Sequence, residues 1–151
     1  LLFGCSLMQL NVAKNEVVSL MLRETTEDSD IKQDESRLDL GLGVEFNNRN
    51  FCVIFNIRLI FDKKRELNIL YKTIFHTDED ITQEFMDGKF PYINAPAIAF
   101  PFLRAYISNI TMMSGYSVVM LPSVNFVKMY EEKNTEIVRI NNTKNSNEEK
   151  G

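Results

Sequence analysis

The stretch RLDLGLGVEFNNRNFCVIFNIRLIF, residues 37–61, decides the fold. From Leu38 to Phe46 apolar Leu38, Leu40, Leu42, Val44 and Phe46 alternate with Asp39, Gly41, Gly43 and Glu45. A period of two is the mark of a strand with one buried face. Asn47 to Asn50 supply turn residues, and Phe51, Val53, Phe55, Ile57, Leu59 and Phe61 then resume the alternation over about 35 Å of extended chain. The opposite face of this second strand carries Cys52 and Ile54 beside Asn56 and Arg58, so it is partly covered as well. So short a connection predicts an antiparallel hairpin.

Working outward, Asp62 to Arg65 close a second turn, and Leu67, Ile69, Tyr71, Thr73 and Phe75 form a third strand, completing a meander. Upstream, LLFGCSLMQLNVA (residues 1–13) is short and apolar, with Gly4 suited to a bulge. It is expected as a fourth strand at a sheet edge, separated from the meander by the acidic, solvated stretch 23–37. After Thr77 the character changes. TDEDITQEFMDGK (77–89) has a threonine and acids before Ile81, Phe85 and Met86, which predicts a short helical turn ending at Gly88. Asn94 as N-cap and Pro96 in the first turn open a longer helix that runs to Met113, with Gly115 beyond it. Pro101 inside it predicts a kink or a break into two pieces. YSVVMLPSVNF (116–126) is extended up to Pro122, and Ser123 caps a last short helix through Phe126, Met129 and Tyr130. The fold class is therefore α+β: a four-stranded antiparallel sheet, one long kinked helix and a short C-terminal helix. Residues 1–133 form the domain and 134–151 a polar tail.

Composition restricts function. A chain of 151 residues, 44% hydrophobic and 25% charged, is sized for one core. A formal charge of −4, with no basic stripe interleaved with aromatics, argues against a nucleic-acid surface. No uncharged apolar run reaches the roughly 20 residues of a membrane span, and no signal-peptide pattern opens the chain, so a cytoplasmic protein is expected. Cys5 and Cys52 lie in apolar segments as small hydrophobes rather than as a disulfide framework.

The inventory for catalysis is thin. The one histidine, His76, ends the third strand beside Asp78, Glu79 and Asp80, where a surface role outweighs that of a base or ligand. One histidine and two distant cysteines give no zinc spacing. Asp28, Asp30, Asp34 and Glu35 lack the glycine and terminal glutamate of a calcium loop. Neither glycine-rich phosphate motif occurs, and GLGVEF is a strand with glycines on one face. Asn109 and Asn141 sit in chance sequons, and Lys63, Lys64 and Arg65 form a solvated hairpin tip. No cofactor, no metal and no enzymatic activity are expected. What stands out is apolar surface: Ile98, Phe102, Ala105 and Met112 share one side of the long helix, while Phe100, Leu103, Ile107 and Ile110 occupy others. A helix apolar on more than one side needs more than one partner.

These residues also carry a resemblance. AFPFLRAYISNITMMSGYSVVMLPSVNF (99–126) resembles the C-terminal half of the SecB-like chaperones, through Phe100, Pro101, Phe102, Arg104, Gly115, Leu121, Pro122, Val124, Asn125 and Phe126. The resemblance implies a four-stranded sheet joined through its edge into an eight-stranded dimer sheet, and two dimers sandwiching their helices in a homotetramer. It implies an ATP-independent holdase that takes unfolded or nascent chains into apolar grooves. The crossover and helix start, with Phe85, Met86, Phe90, Tyr92, Ile93, Ile98 and Phe100, are the expected client contacts. Phe102, Ala105, Tyr106, Asn109, Met112 and Met113 are the expected oligomer interface. Ser123 departs from the family's second proline, and GYSVV lacks the family's proline after the helix. Asn68, Leu70 and Lys72 stand where export chaperones carry the acidic and glutamine residues that dock the SecA motor. That departure favours a dedicated client, such as an antitoxin, over general export. A scaffolding oligomer with the same fold is the competing reading.

Overall fold

The computed structural model describes residues 8–25, 36–132 and 138–141. Strands β1 (Leu10–Glu24), β2 (Arg37–Phe46), β3 (Asn50–Phe61) and β4 (Arg65–Thr77) precede helices α1 (Gln83–Asp87), α2 (Asn94–Met113) and α3 (Phe126–Glu132), and strand β5 (Val138–Asn141) follows. The sheet order is β1-β4-β3-β2-β5. The predicted meander is present: β2, β3 and β4 pair antiparallel, with Phe46 opposite Phe51 and Phe61 opposite Arg65. The first turn closes through the Asn47 N–H donating to the Asn50 carbonyl at 2.8 Å. In the second, Asp62 and Lys63 take positive φ of 50° and 64°, the left-handed backbone that a tight hairpin demands.

Three expectations need correction. The edge strand is β1 and pairs with β4 as anticipated in kind, but it begins at Leu10 and continues to Glu24 rather than occupying 1–13. Residues 1–7, with Gly4 and Cys5, and most of the acidic stretch (26–35) lie outside the described residues. The register of β1 slips between Val12 and Lys14 and between Val17 and Ser19, where each bulge inserts one residue into β1; the bulge expected at Gly4 lies outside the described residues. Val138–Asn141, assigned to the polar tail, form a short parallel strand on β2. Of the kink or break expected at Pro101, the break does not occur: α2 runs continuously through it. Pro101 and Ala97, whose carbonyl loses a hydrogen-bond partner to the proline ring, both lie on the solvent side, so the freed carbonyl is not sealed in the core.

The caps differ in detail too. Thr82, not Thr77, caps α1 through its hydroxyl accepting from the Phe85 N–H at 3.1 Å. Asn125, not Ser123, caps α3, its side-chain oxygen accepting from the Lys128 N–H at 3.0 Å. The N-cap of α2 is Ile93, without a side-chain cap. The turn before it covers the first donors, with Ile93 N–H bonded to Lys89 O and Ala95 N–H to Phe90 O. At the other end Gly115 adopts φ +83°, and the Gly115 and Tyr116 N–H groups donate to the carbonyls of Met112 and Thr111. This is a Schellman ending, and it accounts for the glycine.

The three described helices lie on one face of the sheet. Val44, Phe46, Phe51, Val53, Phe55, Ile57, Leu67, Ile69 and Phe75 line that face and are fully or almost fully buried. α2 meets them with Ala95, Ala99, Leu103, Ile107 and Thr111, spaced every four residues, where the alanines let backbone approach sheet. Phe100 and Phe126 meet edge-on at 5.7 Å and both reach Phe55, at 5.8 and 6.3 Å.

Candidate functional site

The crossover between β4 and α2 is anchored at the β2–β3 turn. The Thr77 N–H donates to the Arg49 carbonyl at 2.9 Å, the Ile81 N–H to the Asn48 carbonyl at 2.7 Å, and Arg49 pairs with Asp80 at 2.8 Å. These bonds bring α1 down on the end of the sheet. Phe85 meets Phe51 edge-on at 5.5 Å and Phe90 at 5.9 Å, while Phe51 reaches Phe46 at 6.0 Å and stacks on Phe75 at 4.9 Å. A continuous aromatic row therefore runs from β2 into the crossover.

The expected client contacts divide. Phe85, Met86, Phe90 and Ile93 are half-buried and Ile98 is exposed. Tyr92 and Phe100 belong to the core instead: both are buried, Tyr92 stacked on Tyr130 at 6.0 Å and Phe100 between Phe55 and Phe126. The crossover crosses the sheet end in direct contact, so its inner aromatics fill core volume before any ligand can.

The expected interface residues lie mostly on the solvent side of α2. Phe102 (44% exposed), Met112 (53%) and Met113 (83%) are open, as are Ala105 and Asn109, and Ile98 (45%), one of the expected client contacts, continues the same side. Ile98, Phe102, Ala105, Asn109 and Met112 follow the 4-3-4-3 spacing of a coiled-coil seam. Tyr106 stands apart, half-buried against Tyr71 with ring centres 5.9 Å apart. The Tyr71 hydroxyl is pushed to a higher pKa by burial, with a smaller contribution from Tyr106, so it stays protonated.

Further apolar surface escaped the sequence reading. Val118, Met120 and Val127 are exposed beyond the C-terminal end of α2. Val12 and Leu20 of β1 are exposed on the helix-bearing face, beyond the reach of α2. The alternation in Val118-Val119-Met120-Leu121 was a signal for the first group, since Leu121 is buried while Val118 and Met120 are not. For β1 the bulges scramble the period, and pattern alone does not say which side is covered.

The other sheet face carries no helix among the described residues. Its charges satisfy one another: Lys14 with Glu16 (3.6 Å), Arg37 with Asp39 (3.8 Å), Lys72 with Glu45 (3.9 Å), and Glu66 with both Arg58 (2.9 Å) and Arg23 (3.5 Å). Asn68, Leu70 and Lys72 lie on this face by register. Glu66 is only 5% exposed although no helix covers it among the described residues, because flanking long side chains close over the carboxylate. Hydrogen bonds from Arg58 and Asn68 hold its pKa below the usual carboxylate value. A depressed pKa means stability that is complete above the unfolded-chain value of about 4.3 and is lost as pH falls through the folded value. Glu66→Gln is therefore expected to lower the melting temperature by a few degrees at pH 7, with the gap to wild type closing below about pH 4; a pH-independent gap would show that the charge contributes nothing.

Among the described residues no three His, Cys, Asp or Glu side chains come together as a metal site, and no helix is long and apolar enough to cross a membrane. His76 is exposed at the end of β4, and the buried Cys52 thiol is pushed up in pKa by burial, which favours its neutral form.

Fold and surface together define an α+β protein whose distinctive exterior is apolar, arranged around one two-sided helix. The family model described as preprotein translocase subunit SecB matches residues 31–137, and the chain belongs to the SecB family. Protein-export protein SecB of Anaplasma phagocytophilum is 39% identical over 56 residues, 37% of this chain and 35% of that protein. The Bartonella bacilliformis counterpart is 22% identical over 111 residues, 69% of each chain. The chain thus spans about a third of the first relative's length and just over two thirds of the second's. Among solved structures, the Mycobacterium tuberculosis SecB-like chaperone in complex with a peptide from the HigA1 antitoxin superposes with a TM-score of 0.60 at 11% identity, over 77% of this chain and 91% of that one. That likeness establishes the shared fold.

Proposed function

We propose that the protein is an ATP-independent holdase that retains unfolded polypeptide segments by apolar contact. The observation that carries this reading is the surplus of exposed large apolar side chains on the helix-bearing side: Ile98, Phe102, Met112, Met113, Val118 and Met120. Isolated exposed apolar residues are ordinary, but a run of them along one helix marks a contact surface. The surplus serves two ends. Phe102, Ala105, Asn109, Met112 and Met113 bury against a second copy in a homotetramer, with Tyr106 at the margin of that interface. The half-buried row Phe85, Met86, Phe90, Ile93 and Ile98 takes the client, its adaptable methionine and aromatic surface suiting segments of varied sequence.

Two routes of use follow, export or a dedicated client. The helix-free sheet face favours the second. Its carboxylates are already paired, and Asn68, Leu70 and Lys72 offer no acidic docking patch for the SecA motor. The related M. tuberculosis chaperone bound to an antitoxin peptide supports the same choice.

The test is suppression of aggregation of a chemically unfolded client, without nucleotide, by wild type and by the double variant Phe90→Ser/Ile98→Asp. Each side chain is a contact of the kind that contributes about 1–2 kcal/mol, so losing both should weaken client binding by about 30-fold or more, with correspondingly more variant needed for equal protection. Circular dichroism confirms that the variant is folded. Equal protection by both removes the groove assignment, and no protection by wild type leaves the scaffolding reading.

A further inference from the structure

β2 has β3 on one side and, on the other, only the four-residue β5. Gly43 to Phe46 pair in parallel with Val138 to Asn141, while Arg37 to Leu42 have no strand beyond them among the described residues. The paired stretch of β2 is also where the sheet meets the crossover. Phe46 touches Phe51 at 6.0 Å, and Phe51 touches Phe85 at 5.5 Å. A strand seated on this edge is therefore linked through two buried rings, Phe46 and Phe51, to Phe85, the first residue of the half-buried row that takes the client. Gly41 and Gly43 leave one face of the edge free of side-chain bulk, and a Cβ placed at Gly41 would meet only Asn56, at 3.6 Å or beyond. Backbone pairing reads no side chains, which is what a protein that accepts varied unfolded chains requires.

The occupant is weakly held. Four residues make few ladder bonds, parallel pairing is less stable per residue than antiparallel, and each such bond contributes on the order of 1 kcal/mol net. From the β5 seat we infer that the β2 edge at Gly43–Phe46 is a strand-addition site for an extended client backbone, and that the chain's own Val138–Asn141 segment is a resident competitor for it. The inference rests on the holdase reading and adds its regulation. A client gains the edge only when β5 releases, so apparent affinity is reduced by the fraction of time the edge is free.

The test keeps the full chain and replaces Arg139 and Ile140 by proline. Adjacent prolines remove two successive N–H groups, one of which must face β2 whichever parity β5 takes. Two quantities are measured: amide hydrogen exchange at Val44 and Phe46, whose N–H groups face away from β3 by the register from the Asn47–Asn50 pair, and affinity for a permanently unfolded polypeptide, reduced and carboxymethylated lactalbumin. The expected result is faster exchange at Val44 and Phe46 in the free variant, about three- to tenfold tighter client binding, and renewed protection of those amides once client is bound. An opened edge with unchanged or weaker binding overturns the competition, as does bound client that leaves Val44 and Phe46 unprotected. Failure of wild type and variant alike to bind the polypeptide overturns the holdase reading and this inference with it, and is distinguishable because exchange still reports whether β5 was released.

Discussion

Phe100→Ala is expected to be among the most destabilising single substitutions in the protein. The ring is buried, packed edge-on against Phe55 and Phe126, and it couples α2 and α3 to the centre of the sheet. Truncation removes the transfer free energy of the ring and leaves a cavity that α2, held along its length by Leu103 and Ile107, cannot collapse to fill. Such changes cost about 3–5 kcal/mol, which for a chain of this size lowers the melting temperature by roughly 10 °C or more. Thermal unfolding followed by circular dichroism, at fixed protein concentration, measures it. The same experiment separates the two roles considered for this residue. A core ring produces the drop in melting temperature, whereas a client-facing ring produces a shift within about 2 °C and a loss of binding.

Charging the outer stripe should have the opposite character, with little effect on the protomer and a large effect on its assembly. Phe102 and Met112 are 44% and 53% exposed, so Phe102→Glu/Met112→Glu asks nothing of the protomer core, and surface changes of this kind usually stay within about 0.5 kcal/mol. In a helix sandwich the same positions face another copy. Burying unpaired carboxylates there costs several kcal/mol per site, enough to dissociate most assemblies at micromolar concentration. Light scattering after size exclusion should give about four times the 17.5 kDa protomer mass for wild type and a smaller species for the variant. A wild type that is solitary at working concentration, or a variant that keeps its mass, would show that the stripe is not an interface. The first result would also bear on the holdase reading, because the uncovered stripe would then be available to clients.

The alternation in residues 38–75 dictated the meander, its register and its buried face, since a one-residue slip would turn Phe51, Phe55 and Ile57 to the other side. The proline at 96 and the glycine at 115 placed the start of the long helix to within a residue and its end at Met113, and its two apolar sides were legible from spacing. The resemblance in residues 99–126 supplied the family. Caps and bulges were not legible, because each depends on which oxygen or carbonyl the folded chain brings within reach: Thr82 over Thr77, Asn125 over Ser123, and the crossover backbone instead of Asn94.

What the sequence by itself determined, then, was the set of local periods and breakers, and from these the strands, the helix and the existence of surplus apolar surface. Only the tertiary structure decided how that surplus is divided. Tyr92 and Phe100 look in sequence like their neighbours Ile93 and Ile98, yet packing against Tyr130 and between Phe55 and Phe126 draws the first pair into the core, while Ile93 stays half-buried and Ile98 exposed. It likewise seated Val138–Asn141, a short apolar-polar alternation inside an otherwise polar stretch, on the β2 edge. Periodicity reports that a face is apolar. Which element covers that face depends on contacts between residues far apart in the chain, and these form only when the chain has folded.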